Sequence, residues 1–160
     1  MPRTCSPGDV LGIPLPSGGY AVGLITRISR EHRGILLGFF FGPRRPELPE
    51  LPGVDGFLPG TPDDAVLVAM FGGRLVRQGT WPTLGSFEGW EPQQWEVTRF
   101  LRRPSMGPPS IVTYDANDPS VRLAEVVVHP DQIDPAMPSE SLVGWGQLPR
   151  MLDERLPLTR

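Results

Sequence analysis

The chain has 160 residues, 39% hydrophobic and 21% charged, a length that supports one packed core, so residues 1–160 are expected to form a single domain. Its 15 basic residues, all Arg, stand against 18 carboxylates for a formal charge of −3, short of the basic footprint that general nucleic-acid binding needs. A single Cys excludes an internal disulfide and a Cys-based zinc site, and no apolar run forms a leader peptide or reaches the ~20 residues that span a bilayer, so a cytoplasmic protein is expected.

The 19 Gly and 21 Pro punctuate apolar runs and serve as turn markers. Val10 to Leu15 and Tyr20 to Ile28 flank Ser17-Gly18-Gly19, which is hairpin-turn chemistry. In the second run Tyr20, Val22 and Leu24 take one face at period two, and Ala21, Gly23, Ile25 and Arg27 take the other. After a polar turn, Gly34 to Gly42 is continuously apolar and predicts a third strand buried on both faces. Pro43 to Pro62 alternates Pro, Gly and carboxylate, which predicts a long surface loop. Ala65 to Phe71 fits strand or short helix, with its Val content favouring strand.

Arg74 to Gly85 predicts a strand interrupted by Gly79, with Pro82 marking an edge or bulge. Trp95 to Arg103, Ile111 to Tyr114 and Val121 to His129 predict further strands, and Asp131 to Ser139 a second Pro-rich loop. From Leu148 the apolar spacing becomes helical, giving one short C-terminal helix. The fold class is mainly β (α+β): a strongly bent antiparallel sheet or SH3-like partial barrel of about six to eight strands closed by that helix.

Catalytic signatures are scarce. Gly85-Ser86-Phe87-Glu88-Gly89 has the wrong spacing for a nucleophile elbow, and Cys5 has no charge pattern to activate its thiol. His129, Asp131 and Asp134 offer one nitrogen and two oxygens, but across Pro130 in an acidic loop, which favours a solvated turn over a metal site. Without Lys no phosphate-cradling loop can be completed. No catalytic, cofactor-binding or metal residue is therefore assigned, and the chain is not expected to be an enzyme. Arg44-Arg45 and Arg102-Arg103 read as soluble strand ends in preference to a cationic patch. Of the Trp81, Phe87, Trp90 and Trp95 cluster, Trp90 in its turn is the ring expected to be exposed and a candidate interface anchor.

Three strings carry a resemblance. Gly8-Asp9-Val10-Leu11-Gly12-Ile13-Pro14-Leu15 with Gly18-Gly19-Tyr20-Ala21-Val22-Gly23-Leu24, then Gly79-Thr80-Trp81-Pro82-Thr83-Leu84-Gly85, then Gly144-Trp145-Gly146 before an apolar tail, resemble in order the immunity protein 26 family. The insert Arg44 to Pro62 and Pro149 in the terminal helix depart from it. The resemblance implies a bacterial protein that binds and neutralises a cognate toxin of a polymorphic system by stoichiometric occlusion, a mechanism that needs no catalytic residue and no cofactor. For a toxin with a basic cleft, Glu47, Glu50, Asp55, Asp63 and Asp64 would supply the complementary surface, beside Trp90. Two other readings stay open: an SH3-like nucleic-acid-binding or ribonuclease domain, from the Gly-Asp-Val hairpin and the Arg pairs, and a small-ligand-binding β domain floored by the Trp cluster.

Overall fold

The period-two pattern of the first forty residues sets the architecture of the computed structural model, which describes residues 5–30, 34–50 and 61–158. Strands β1 (Asp9–Pro14), β2 (Tyr20–Ile28) and β3 (Ile35–Arg45) form an antiparallel meander, and β4 (Leu67–Gly72) pairs antiparallel with β3. The Ala65 to Phe71 run is thus a strand from Leu67 onward. Strand β5 (Thr83–Ser86) adds to the free side of β1, and the two-residue β9 (Leu142–Val143) adds parallel to β4, giving the order β5-β1-β2-β3-β4-β9. A second antiparallel sheet holds β6 (Arg99–Arg102), β7 (Ser110–Tyr114) and β8 (Arg122–Val127). The fold is mainly β with one C-terminal helix of more than one turn, α2 (Gln147–Arg155), and neither sheet closes into a barrel.

Strand β3 is buried on both faces from Leu36 to Phe41, and its side chains sort by parity. Leu36 and Phe40 join Ala21, Ile25, Leu67, Ala69 and Phe71 in a core covered by Val76, Trp81, the α2 residues Leu148 and Leu152, and Leu156 just after the helix. Phe39 and Phe41 point the other way, onto Trp95 with Val22 and Leu24, while Leu37 meets Phe100, Val112 and Tyr114 of the second sheet. The large sheet is therefore the middle layer, between a helical cover and the small sheet. Gly23 and Gly38 open the space that the Phe40 ring fills: a Cβ on either would come within 2.8–2.9 Å of that ring.

Two predicted strands are corrected. Arg74 to Gly85 begins as a single helical turn, α1 (Arg74–Arg77), because burying Val76 in the helical cover leaves Arg74 and Arg77 outward; only Thr83–Ser86 is extended. In Trp95 to Arg103 the strand is confined to Arg99–Arg102, since a 3-10 turn, Pro92–Trp95, drops the Trp95 ring onto Phe39, Phe41, Phe87 and Trp90. The loop expected over Pro43 to Pro62 does not begin at Pro43, because β3 runs on through a cis Gly42-Pro43 bond to Arg45; residues 51–60 of that span lie outside the described residues. Pro149 is the third residue of α2, where its missing N–H costs no intrahelical bond.

Two buried arginines tie the layers together. Arg44, expected as a soluble strand end, is buried: its guanidinium pairs with Asp153 Oδ1 at 2.7 Å and donates to the carbonyls of Gly18 (2.7 Å), Asp153 (3.0 Å), Leu156 (2.6 Å) and Pro157 (3.3 Å). Ser17 Oγ donates to the other oxygen of Asp153 at 2.6 Å, so the β1–β2 turn and the C-terminus of α2 are locked on one side chain. Arg27 donates from Nε to the Ala116 carbonyl, from Nη1 to Thr26 O at 2.7 Å and from Nη2 to Pro92 O at 3.1 Å. Two residues after Ala116, Asp118 is buried and accepts from Arg30 N–H (3.0 Å), Ser120 N–H (2.9 Å) and Ser120 Oγ (2.7 Å). Burial raises the Asp118 carboxyl, but the hydrogen bonds from Ser120, Arg30 and Ser29 outweigh it and hold the group at about 2.

Replacing Arg44 by Met leaves Asp153 without its cation and several carbonyls without a donor, so Arg44→Met is expected to lose about 3 to 5 kcal/mol in urea unfolding, partly restored by Asp153→Leu in the same chain. Asp118, depressed from 3.8 to about 2, adds stability that is complete above its ordinary value and disappears as pH falls through about 2. Urea midpoints measured from neutral pH downward should show the native chain losing about 2 kcal/mol relative to Asp118→Asn over that acid range.

Candidate functional site

The largest concentration of exposed apolar side chains lies on β8. All six of its residues are exposed, with Leu123 and Val126 at 61% and Val127 at 65%. The sequence pattern predicts an apolar strand here and the strand is present, but no layer among the described residues covers it. β8 is also an edge: β7 occupies one side and, among the described residues, nothing pairs on the other. The Val128 N–H donates to Pro109 O at 3.0 Å, which fixes the phase of the ladder, so the main-chain groups of Ala124 and Val126 face β7 and those of Glu125 and Val127 face outward.

Charged groups hold this edge in place. Glu125 Oε1 accepts from Arg102 Nη1 at 2.9 Å and Ser110 Oγ at 2.8 Å, and these partners, Ser110 first, hold its carboxyl below the usual range. Arg122 Nη2 donates to Glu140 Oε1 at 2.6 Å. Glu140 belongs to an extended segment that joins the sheets: Leu101 N–H donates to Pro138 O, Glu140 N–H donates to Leu101 O, and two residues later Leu142 and Val143 pair with β4. A cavity of about 430 Å³ opens where the segment crosses, lined by Ile35, Met70, Leu101, Tyr114, Glu140 and Leu142. Leu142 is 56% exposed at its rim, and Trp145, just before α2, is 55% exposed.

The residues singled out from sequence are placed as follows. Glu47 and Glu50 are exposed beyond the end of β3, and Asp63 and Asp64 are exposed in a 3-10 turn, Pro62–Asp64. Asp64 accepts from Thr61 N–H at 2.9 Å and Thr61 Oγ1 at 3.0 Å, which lowers its pKa, so one of the four caps its own turn. Asp55 lies outside the described residues. Trp90 is half-buried, stacked on Trp95 with ring centroids 6.4 Å apart and lying across Gly8. The more exposed tryptophan is Trp145, whose place in an apolar tail gave no sign of it.

The Arg pairs form no shared cationic patch: Arg44 is in its clamp and Arg102 is paired with Glu125. Trp81 and Trp95 are buried in the core and Trp90 is half-buried. His129 Nδ1 accepts from Asp131 N–H at 3.2 Å and Asp134 Oδ1 from Ala136 N–H at 2.9 Å, so these groups serve local turns. Burial, then Asp9, pushes the Cys5 thiol up, away from the thiolate. No helix among the described residues is long and apolar enough to cross a membrane.

Residues 6–110 match the family model described as Immunity protein 26. No curated protein and no solved structure matches the chain. The matched segment takes in β1 to β6 and ends at the first residue of β7; β8, Leu142 and Trp145 follow it.

Because the outward side chains of β8 are already in water, Leu123→Lys and Val127→Lys are each expected to change unfolding free energy by no more than about 0.5 kcal/mol. Urea denaturation of the two variants measures this, and a large loss would mean that β8 is covered.

Proposed function

We propose, since the chain belongs to the immunity protein 26 family, that it binds one cognate toxin domain and neutralises it by stoichiometric occlusion, with β8 at the centre of the contact. Membership makes it an immunity protein of a toxin system. The observation that carries the rest is the uncovered apolar edge of β8. Apolar side chains beside an open main-chain row suit a protein partner, which supplies both burial and hydrogen bonds. Leu142 and Trp145 are further exposed apolar residues, and Trp is among the residue types enriched at interface anchors.

The exposed carboxylates Glu47, Glu50, Asp63 and Asp64 act in this reading as a rim that attracts a basic toxin. Such charges raise the association rate and its salt sensitivity more than they slow dissociation. Trp90, stacked on Trp95, stiffens the nearby turn and is not an anchor here.

The test is titration calorimetry and toxicity rescue with the toxin-domain product of the adjacent gene. A one-to-one complex is expected, and Leu123→Lys with Val127→Lys in one chain should weaken it by at least about 100-fold, near 2.7 kcal/mol, without lowering thermal stability. Glu47→Gln with Asp63→Asn should slow association alone. No complex with the native chain overturns the function; a complex indifferent to the β8 changes overturns the surface.

A further inference from the structure

We propose that the cavity beside Arg27 is a binding site for a small oxyanion, a carboxylate or a phosphate group, held by Arg27 with Arg30 and the Asn117 amide. The proposal is independent of the partner-binding reading and rests on an unneutralised buried charge. Arg27 is only 8% exposed, and among the described residues no carboxylate lies within ion-pairing distance of it. Its three hydrogen bonds all go to main-chain carbonyls, of Thr26, Pro92 and Ala116. Carbonyl dipoles satisfy donors but do not cancel a charge, and buried charges are ordinarily paired.

The acid of this corner does not supply the missing charge. Asp118 has its oxygens taken by Ser120 and by the Arg30 N–H, and Glu96 favours the Arg27 charge only from a distance. Burial still pushes Arg27 below its ordinary value, the direction expected for a cation short of a counter-ion. A guanidinium carries five N–H donors, of which the carbonyls use three, so two remain, and such pairs match the two oxygens of a carboxylate or phosphate.

Space and neighbours agree with that chemistry. The cavity measures about 360 Å³, room for an acetate or phosphate with water, and Arg27, Arg30 and Asn117 line it together with Pro7 and Pro92. The Asn117 N–H is bound to Asp115 Oδ1, which fixes the turn and leaves the side-chain amide as a further donor. Arg30 holds Asp118 through its main chain, so its guanidinium is available for a ligand without disturbing that bond.

The experiment follows the arginine Nε–H resonances of the ¹⁵N-labelled full chain during titration with sodium phosphate, sodium acetate or sodium chloride at matched ionic strength. Arg27 Nε–H, fixed on Ala116, should shift saturably with phosphate, acetate or both, and not with chloride; the two oxyanion arms separate a phosphate source from a carboxylate one. Arg30→Gln should weaken that binding about tenfold, the loss of one charge-assisted hydrogen bond, with the thermal midpoint unchanged. A drift of equal size in all three salts, no saturable shift in any, or the same affinity in both Arg30→Gln and Asn117→Ala overturns the site and leaves Arg27 a clamp alone.

Discussion

Strand β3 carries six consecutive buried residues, Leu36–Phe41, and neither of its faces can be left to water. That constraint propagates outward. Even residues look into the core shared with α2, and odd residues look toward Trp95 and the second sheet. A lone meander could not bury both sets, so the chain must return twice, once with Phe100, Val112 and Tyr114 and once with Leu148, Leu152 and Leu156. The last fifty residues, beyond the matched family segment, are thus part of the core as well as the source of the exposed strand.

Arginine resolves a problem that this layering creates. Where a strand end, a turn and a helix C-terminus converge, several carbonyls lose access to water at once, and one planar group with five donors can serve them together. Arg44 does this for the β1–β2 turn and the end of α2, with Asp153 balancing its charge. Arg27 does it for β2 and the chain around Pro92 and Ala116, without such a balance. The same side-chain geometry therefore gives a closed ion pair at one corner and an open cation at the other.

What could be read from sequence followed local periodicity. The hairpin, the doubly buried third strand and the terminal helix each declare themselves within a dozen residues, through alternation, a continuous apolar run and helical spacing. The misses are long-range. Arg44 looked like a solubilising charge because its partner Asp153 stands 109 residues later. Arg74–Arg77 coils into a helical turn because Val76 is needed under the sheet, a requirement that local propensity does not contain. Val121 to His129 has the composition of a core strand, and composition does not say whether a further layer will arrive to cover it; among the described residues none does. Trp90 is less exposed than expected for the same reason, since stacking on Trp95 depends on where the Pro92–Trp95 turn delivers that ring.

An exposed edge strand with Leu123, Val126 and Val127 is a template for self-pairing, and soluble proteins usually blunt such edges with charge, proline or a bulge. β8 has part of that protection: a register shift opposite Tyr114, and Arg122 and Glu125 within the strand. Yet both charges are drawn into bonds with Glu140, Arg102 and Ser110, so they brace the edge and guard it less than free charges would. Bracing lowers the conformational cost of pairing with another chain, because the strand is ordered before the partner arrives. A guarded edge would resist every partner alike, whereas a braced and lightly guarded one admits a strand whose side chains fit around Arg122 and Glu125. In the proposed complex, those two charges would set the selectivity for one toxin, and burial of the apolar side chains beside them would supply the affinity.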